Sequence, residues 1–540
     1  MNTIPEHNAG HSILQTIRNY GVDTIFGIPG THNLEFYRHI KPLGIKPVTT
    51  RHEQGAGYAA IGWSLQKGMP GVVITTSGPG LLNALSAVGT AYCESVPMIV
   101  LSPGVARGDE FADNGALHET KDSTGAAGAI ALWSRRVQSA SEAVEAVHEA
   151  FSLFATGRPR PVHIEVPLDV LEAETDCAED ALAVRLVDDL LSPDADQLSR
   201  AVEALNAAEC PVIVSGGGSV FAAAELRDLA EKLGAPVLAT INGKSVLPES
   251  HPLSVGSELR LPAAHELINN ADVLLLVGTK MGVEEFWGGE IAPQGTVIRI
   301  DRVASQADKN IASDIALIAD TKVVLHALNT SITRSPSGET GWLGKAEMQN
   351  LHTQLHKDAL EISPTLMDLA EQISSVIPSE AIVAGDSSQI TYLAMTSTTR
   401  LEHPRSFLYT AAYATLGFGL PAAIGAKVGA PRRPVVCVVG DGALMFAIQE
   451  MITAAEQGLD LTLVCVDNGG YGEIRQNELD RDIQPVGVDL HQPDWPILAR
   501  GMGFTAQQVG TRDDVAPMIQ GAIAAGGLQF VHIPLASIPR

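Results

Sequence analysis

The chain reads as an α/β protein built of three doubly wound domains with mainly parallel sheets. Three observations predict this. Short, wholly apolar runs such as Val435-Val436-Cys437-Val438-Val439 suit strands buried on both faces. Helical stretches with start and stop signals stand between such runs, so strand and helix alternate. At 540 residues the chain exceeds one ordinary core and fits about three domains.

The first domain is expected over residues 1–171. It opens with a helix and then a strand, between Ser12 and Pro29. Arg51-His52-Glu53-Gln54-Gly55-Ala56-Gly57 precedes a helix expected from about Ala59. Ser139 and Glu142 are spaced as a capping box. Apolar residues recur at Val144, Val147, Phe151 and Phe154, and Gly157 ends that helix. Pro161 to Pro167 is the closing strand. An acidic, Ala-rich connector runs from about Glu172 to Asp196.

The second domain is expected over 190–330. A helix (Gln197 to Ala208) leads to the strand Pro211 to Val214 and to Gly216-Gly217-Gly218, with later strands at Val273 to Val277 and Thr296 to Ile300. The glycine triplet lacks the GxGxxG spacing of a dinucleotide site, so it reads as a tight turn. A Ser/Thr/Pro/Gly-rich linker, Ser331 to Gly341, leads to the third domain, expected over 360–540. There Thr365 to Asp386 repeats the helix-then-strand pattern of Ser12 to Pro29. Phe530-Val531-His532-Ile533 likewise repeats Pro161-Val162-His163-Ile164, which implies two related folds flanking a middle one.

A net charge of −26 repels phosphate backbones and anionic lipids, which argues against nucleic-acid and membrane partners. There is no run of about 18 apolar residues for a membrane span, and no basic-then-apolar start for a secretory signal. The five cysteines have no CxxC spacing, and Cys437 and Cys465 sit inside apolar strands. A reduced, cytoplasmic setting is the expectation.

The chemistry concentrates in Gly440-Asp441-Gly442, a following apolar helix, a strand, and Asp467-Asn468-Gly469-Gly470-Tyr471-Gly472. The two strands bring one carboxylate, one side-chain amide and one open carbonyl to one sheet edge, where α/β proteins bind ligands. These are hard oxygen donors, suited to magnesium holding a phosphate ester. The stretch resembles the diphosphate-binding motif of thiamine-diphosphate-dependent enzymes, Gly-Asp-Gly followed at a fixed gap by Asn-Asn. It departs from that motif at Asp467, where the first Asn is usual. By this resemblance Asp441, Asn468 and the Gly470 carbonyl are the Mg2+ ligands. Gly440, Gly442, Ala443 and Tyr471 border the diphosphate, and a helix from about Ala443 points its amides at it.

The same resemblance spans nearly the whole chain and implies pyrimidine-binding, central and diphosphate-binding domains. It makes Glu53 the acid that shares a proton with the pyrimidine ring of thiamine diphosphate, which primes the cofactor to attack a 2-oxo acid carbonyl. Leu416 maps to the apolar residue beneath the bent cofactor. Ala414, where Gly is common, offers a carbonyl to the pyrimidine amine. Thr76, Ser77 and Asn83 belong to a loop lining the cofactor near the substrate, and Asp386 and Ser387 to one on the diphosphate side. Thr31 and His32 occupy a turn where some relatives carry a pocket acid. His118 is a candidate for a catalytic and substrate-binding role, weighed against a solvated loop position.

Gly27-Ile28-Pro29-Gly30-Thr31-His32, Leu117-His118-Glu119-Thr120, Asn242-Gly243-Lys244-Ser245-Val246 and Gly470-Tyr471-Gly472-Glu473-Ile474-Arg475 resemble the acetolactate synthase-like branch. Within it they are similar to 5-guanidino-2-oxopentanoate decarboxylases. Glu473, three residues past the last metal ligand, could grip a guanidinium in a bidentate pair; the alternative is a surface Glu paired with Arg475 or Lys. The implied activity is decarboxylation of a 2-oxo acid to an aldehyde. The alternatives are a carboligase of the acetolactate synthase type, which commonly carries FAD, and a silent binding relative. A homodimer or homotetramer is implied, since the family builds its site between two subunits.

Overall fold

The computed structural model describes residues 7–187, 191–334 and 341–536. Parts of the expected connector (188–190) and linker (335–340), and both chain ends of the expected outer domains (1–6 and 537–540), lie outside the described residues. The first sheet holds β1 (Thr24–Gly27), β2 (Lys46–Thr49), β3 (Gly71–Ile74), β4 (Met98–Gly104), β5 (Trp133–Arg136) and β6 (Pro161–Pro167). The second holds β7 (Pro211–Ser215), β8 (Val237–Ala239), β9 (Ser254–Gly256), β10 (Val273–Val277), β11 (Thr296–Asp301) and β12 (Ile315–Ile318). The third holds β13 (Ile382–Gly385), β14 (Phe407–Leu408), β15 (Val435–Gly440), β16 (Leu461–Asp467), β17 (Thr505–Gln508) and β18 (Leu528–Pro534).

All pairings within the three sheets are parallel. The apolar runs fit this, because helices cover both faces and leave no polar side to a strand. The first sheet has the order β2-β1-β3-β4-β6-β5 and the third β14-β13-β15-β16-β18-β17, which is the same order with the strands counted from each sheet's start. The faint likeness between the two chain ends is therefore a likeness of topology. The middle sheet, β12-β11-β10-β7-β8-β9, has the strand order of dinucleotide-binding sheets. Its glycine triplet is a packing device: a Cβ on Gly218 would stand 2.8 Å from the Gly278 Cα.

The outer sheets share one continuous apolar core. Its bridge is a pair of helices, Glu53–Lys67 and Gly419–Gly429, in backbone contact. A Cβ on Gly62 would collide with the Ala422 carbonyl, and one on Gly425 with the Ala59 carbonyl. Glycine is required here for lack of space, and its backbone-entropy cost is accepted in exchange for close helix packing.

Three local expectations change. The helix expected from Ala59 begins at Glu53, because His52 Nδ1 accepts the Gln54 N–H at 3.1 Å and caps it. The helix after Gly442 is broken into Asp441–Leu444 and Glu450–Glu456. The capping box at Ser139 is half formed: Ser139 Oγ accepts the Glu142 N–H at 3.1 Å, but the Glu142 carboxylate takes the Gln138 N–H at 2.7 Å. All five cysteines are unbonded, with Cys437 and Cys465 buried. Among the described residues no helix is long and apolar enough to cross a membrane.

Candidate active site

The C-terminal ends of β15 and β16 stand side by side, with Gly440 opposite Val466. That register brings Asp441 against Asn468, whose backbone N–H donates to Asp441 Oδ1 at 3.2 Å. Asp441 is 1 % exposed, and its Oδ2 has no hydrogen-bond partner. Burial, with the nearby Asp467 adding to it, pushes the Asp441 carboxyl up to about 6. The Asn468 side-chain oxygen lies 2.9 Å from the Gly470 carbonyl and 3.1 Å from Asp441 Oδ1; with the amide turned over, its NH2 donates to both. The first orientation gathers three oxygens with no proton between them, which a divalent cation would stabilise. The orphaned Asp441 oxygen and this donor set fit such an ion.

Glycine geometry builds the rest of this edge. Gly470 has φ +146, and a Cβ there would strike the Val488 carbonyl. The Tyr471 ring lies over Gly442, where a Cβ would meet it at 3.0 Å. Gly440 N–H donates to Ser388 Oγ at 2.8 Å. Asp467, the departure from the resembled motif, is held by His532 (Nε2 to Oδ2, 3.0 Å) and accepts the Gly469 N–H at 2.9 Å. A carboxylate here therefore has a local partner on β18, and it shapes the turn that presents Asn468.

A cavity of about 850 Å³ opens from this edge. Gly440, Asp441, Gly442, Ala443, Asn468, Gly470, Tyr471, Ser387, Ala414, Leu416 and Glu473 all line it. Ser387 Oγ is buried there without a partner. Leu416 is half-buried on the wall, so it is not a plain core residue. Ala414 has φ +49, a left-handed conformation that explains why glycine is common at this place. Glu473 accepts from Gln389 Nε2 at 3.0 Å and from Tyr392 Oη at 3.2 Å. Arg475 turns away to Asp489, so the surface-pair alternative for Glu473 is not the arrangement formed.

Asp386 needs correction. Its carboxylate is 1 % exposed and accepts N–H groups from Ser387 (2.9 Å), Gly417 (3.2 Å) and Gly419 (2.7 Å). It anchors the turn that carries Leu416 and does not line the cavity. Burial, opposed by these N–H donors, pushes it up to about 6.

The remaining candidates form a second cluster at the matching edge of the first sheet. Glu53 is 8 % exposed, and Asn83 Nδ2 donates to its Oε2 at 3.0 Å. Thr76 packs over Gly30 and Gly80, and Ser77, His32 and His118 are in mutual contact. Thr31 is exposed. Within one chain neither Glu53 nor Asn83 lines the cavity of Asp441. The structure thus gathers the candidates into two groups and leaves those groups apart.

Sequence reasoning missed Glu450, Tyr392 and Trp287. Glu450 is fully buried and accepts the N–H groups of Arg51 (3.1 Å) and His52 (3.1 Å), so the third sheet's segment holds the residues just before Glu53. Tyr392 sits on a π-helical turn, Ile390–Met395, a form that favours functional sites. Trp287, from the middle of the chain, packs edge-on against Tyr392 with centroids 6.1 Å apart. No motif spacing links residues this distant in sequence.

Comparisons with known proteins agree with this geometry. Three family models match: the thiamine pyrophosphate enzyme N-terminal TPP binding domain (residues 7–126), central domain (198–328) and C-terminal TPP binding domain (386–533). The chain is 35% identical to a probable 2-ketoarginine decarboxylase of Pseudomonas aeruginosa, over 97% of this chain and 93% of that protein. It is 31% identical to a probable acetolactate synthase large subunit of Methanocaldococcus jannaschii, over 98% and 92%. It is 30% identical to the acetolactate synthase large subunit of Corynebacterium glutamicum, over 96% and 85%. With its oxygen-lined edge, its paired outer sheets and these matches along nearly its full length, the chain belongs to the thiamine pyrophosphate enzyme family.

Proposed function

We propose that this protein decarboxylates a cationic 2-oxo acid of the 5-guanidino-2-oxopentanoate type to an aldehyde and carbon dioxide, using thiamine diphosphate and Mg2+. The observation that carries the reading is the Glu473 carboxylate on the wall of the Asp441 cavity, oriented by Gln389 and Tyr392. A planar guanidinium pairs bidentately with such a carboxylate. The 2-ketoarginine decarboxylase likeness supports the same substrate class.

Asp441, Asn468 and the Gly470 carbonyl would hold the metal, and Ser387 and Tyr471 would flank the diphosphate. Bound thiamine diphosphate supplies the electron sink for carbon–carbon cleavage. Glu53 would face the pyrimidine ring and share a proton with it, with Asn83 Nδ2 fixing the carboxylate's orientation. Leu416 shapes the floor and excludes water. The separation of Glu53 from the Asp441 cavity within one chain supports a site shared by two subunits, hence a homodimer or a homotetramer. Five unbonded cysteines fit a reducing cytoplasm.

The test is a panel of 2-oxo acids with added Mg2+ and thiamine diphosphate, products identified by mass. Glu473→Gln should weaken use of the guanidino acid by about one to two decades in kcat/KM, from roughly 1.5–3 kcal/mol of charge-assisted bonding, and change pyruvate turnover little. Equal loss for both removes Glu473 from recognition. The acetolactate synthase likenesses favour a second reading, a carboligase. Acetolactate from pyruvate, or a yellow purified protein carrying FAD, would support it.

A further inference from the structure

The turn beyond β10 that carries Trp287 is unusual for so large a side chain. Gly289 N–H donates to the Phe286 carbonyl at 2.9 Å, and the two residues between them have φ +48 (Trp287) and +77 (Gly288). Mirror-image turns of this kind normally hold Asn or Gly. A bulky residue strained in this way points to a use for its side chain. Phe286, 8 % exposed and edge-on to His265, anchors the turn from behind. Trp287 itself is 42 % exposed and lines the Asp441 cavity. Two neighbours fix its ring. Tyr392 meets it edge-on, with the ring planes at 66°. The Arg260 guanidinium lies 5.5 Å from its centroid. Arg260 is in turn tied to Glu258 Oε2 (3.1 Å), Ser397 Oγ (2.8 Å) and the Leu393 carbonyl (3.0 Å).

We propose that Trp287 is a specificity-determining residue, and, resting on the decarboxylase reading of the same cavity, that the substrate's guanidinium lies against its ring while the in-plane N–H groups meet Glu473. Tyr392 joins the two groups: its ring touches Trp287, and its hydroxyl donates to Glu473 Oε2 at 3.2 Å. Burial, then Glu473, pushes the Tyr392 phenol up, so it stays a hydrogen-bond donor to that carboxylate. Glu473 also accepts from Gln389 Nε2 at 3.0 Å and Asn477 Nδ2 at 3.3 Å. All three donors are neutral, and among the described residues no cation pairs with Glu473. Among the described residues Arg260 is the only cation lining the cavity, and Glu258 already matches its charge. A positive charge entering the cavity therefore finds an unmatched carboxylate beside an electron-rich ring. A guanidinium suits this pair because its faces are weakly hydrated and its donors lie in one plane. The ring takes the face and the carboxylate takes the edge. An ammonium keeps the charge and loses the plane; a ureido group keeps the plane and loses the charge. The middle sheet's loops then read the side chain, while the outer sheets' edges hold the reacting end.

Two measurements on the full-length protein test this. With Mg2+ and thiamine diphosphate, kcat/KM is compared between the guanidino 2-oxo acid and its neutral ureido analogue. The ratio should fall about tenfold in Trp287→Leu, and less in Trp287→Phe, which keeps a smaller ring. General damage to the fold lowers both rates and leaves their ratio alone. A ratio unchanged in Trp287→Leu but lost in Glu473→Gln overturns the proposal alone. A wild type with no preference between the two acids overturns the cationic-substrate reading as well. The second readout needs no turnover. Trp287 emission, taken as the difference between wild type and Trp287→Phe, should change on adding 4-guanidinobutanoate and stay constant with 4-ureidobutanoate. Equal responses, or none from the guanidino compound, overturn contact with the ring.

Discussion

The first and third sheets share one strand order and differ at their C-terminal edges. On the third sheet the edge carries oxygen donors: Asp441, the Asn468 amide and the Gly470 carbonyl, in a glycine-rich turn. On the first it carries titratable side chains: Glu53 with Asn83, and the His32–Ser77–His118 contact. The scaffold supplies a place, and the loop residues decide which chemical groups that place presents.

The sharpest way to break this contrast is to remove one residue from each edge. Asp441→Ala should abolish Mg2+-dependent retention of thiamine diphosphate, measured by calorimetry, and turnover with it. Glu53→Gln should keep retention within severalfold while turnover falls by about two to four decades. If both variants lose retention equally, the division of labour is wrong.

The link between the edges comes next. Glu450→Ala leaves the Arg51 and His52 N–H groups without their buried acceptor, at a cost of about 1–3 kcal/mol in urea unfolding. Glu450→Gln, which keeps an acceptor oxygen, should lose less. Equal loss would mean that the volume matters and the hydrogen bonds do not.

A pH experiment sharpens the role of Asp386. Its folded carboxyl titrates near 6 and its ordinary value is 3.8. The folded protein therefore holds the proton longer than the unfolded chain, so stability falls as pH rises from about 4 through about 6 and is level beyond. Asp386→Asn should flatten that slope, by an amount on the order of 2 kcal/mol between pH 4 and 7. An unchanged slope assigns it to other groups. The smallest effect belongs to Ala414→Gly, which relieves a left-handed alanine worth about 1 kcal/mol. A small rise in thermal midpoint is expected, and a fall would show that the methyl packs usefully.

Much of this is legible in the amino-acid sequence alone. The apolar runs of β7, β10, β15 and β16 are plain because parallel strands tolerate no polar face, and the Asp441 to Gly470 spacing is plain because two adjacent parallel strands need a connection of that length. Helix starts were less readable. The cap on the Glu53 helix is a histidine ring nitrogen, which the usual Ser/Thr/Asp/Asn signal does not cover. Asp386 misled because a carboxylate after a strand looks the same whether it faces a ligand or its own backbone. Glu450 and Trp287 were invisible for another reason: the main chain that Glu450 grips lies 398 and 399 positions away, and the ring that Trp287 meets belongs to Tyr392, far beyond any local pattern.

The buried Glu450 carries a practical consequence for building chimeras. A hybrid joining this first third to a relative's remainder that lacks a carboxylate at position 450 would leave the Arg51 and His52 N–H groups without their acceptor, beside two helices whose glycines leave no slack. Recombination that respects only the sheet boundaries should yield poorly folding hybrids. Moving the 51–67 and 419–456 segments together should preserve the graft.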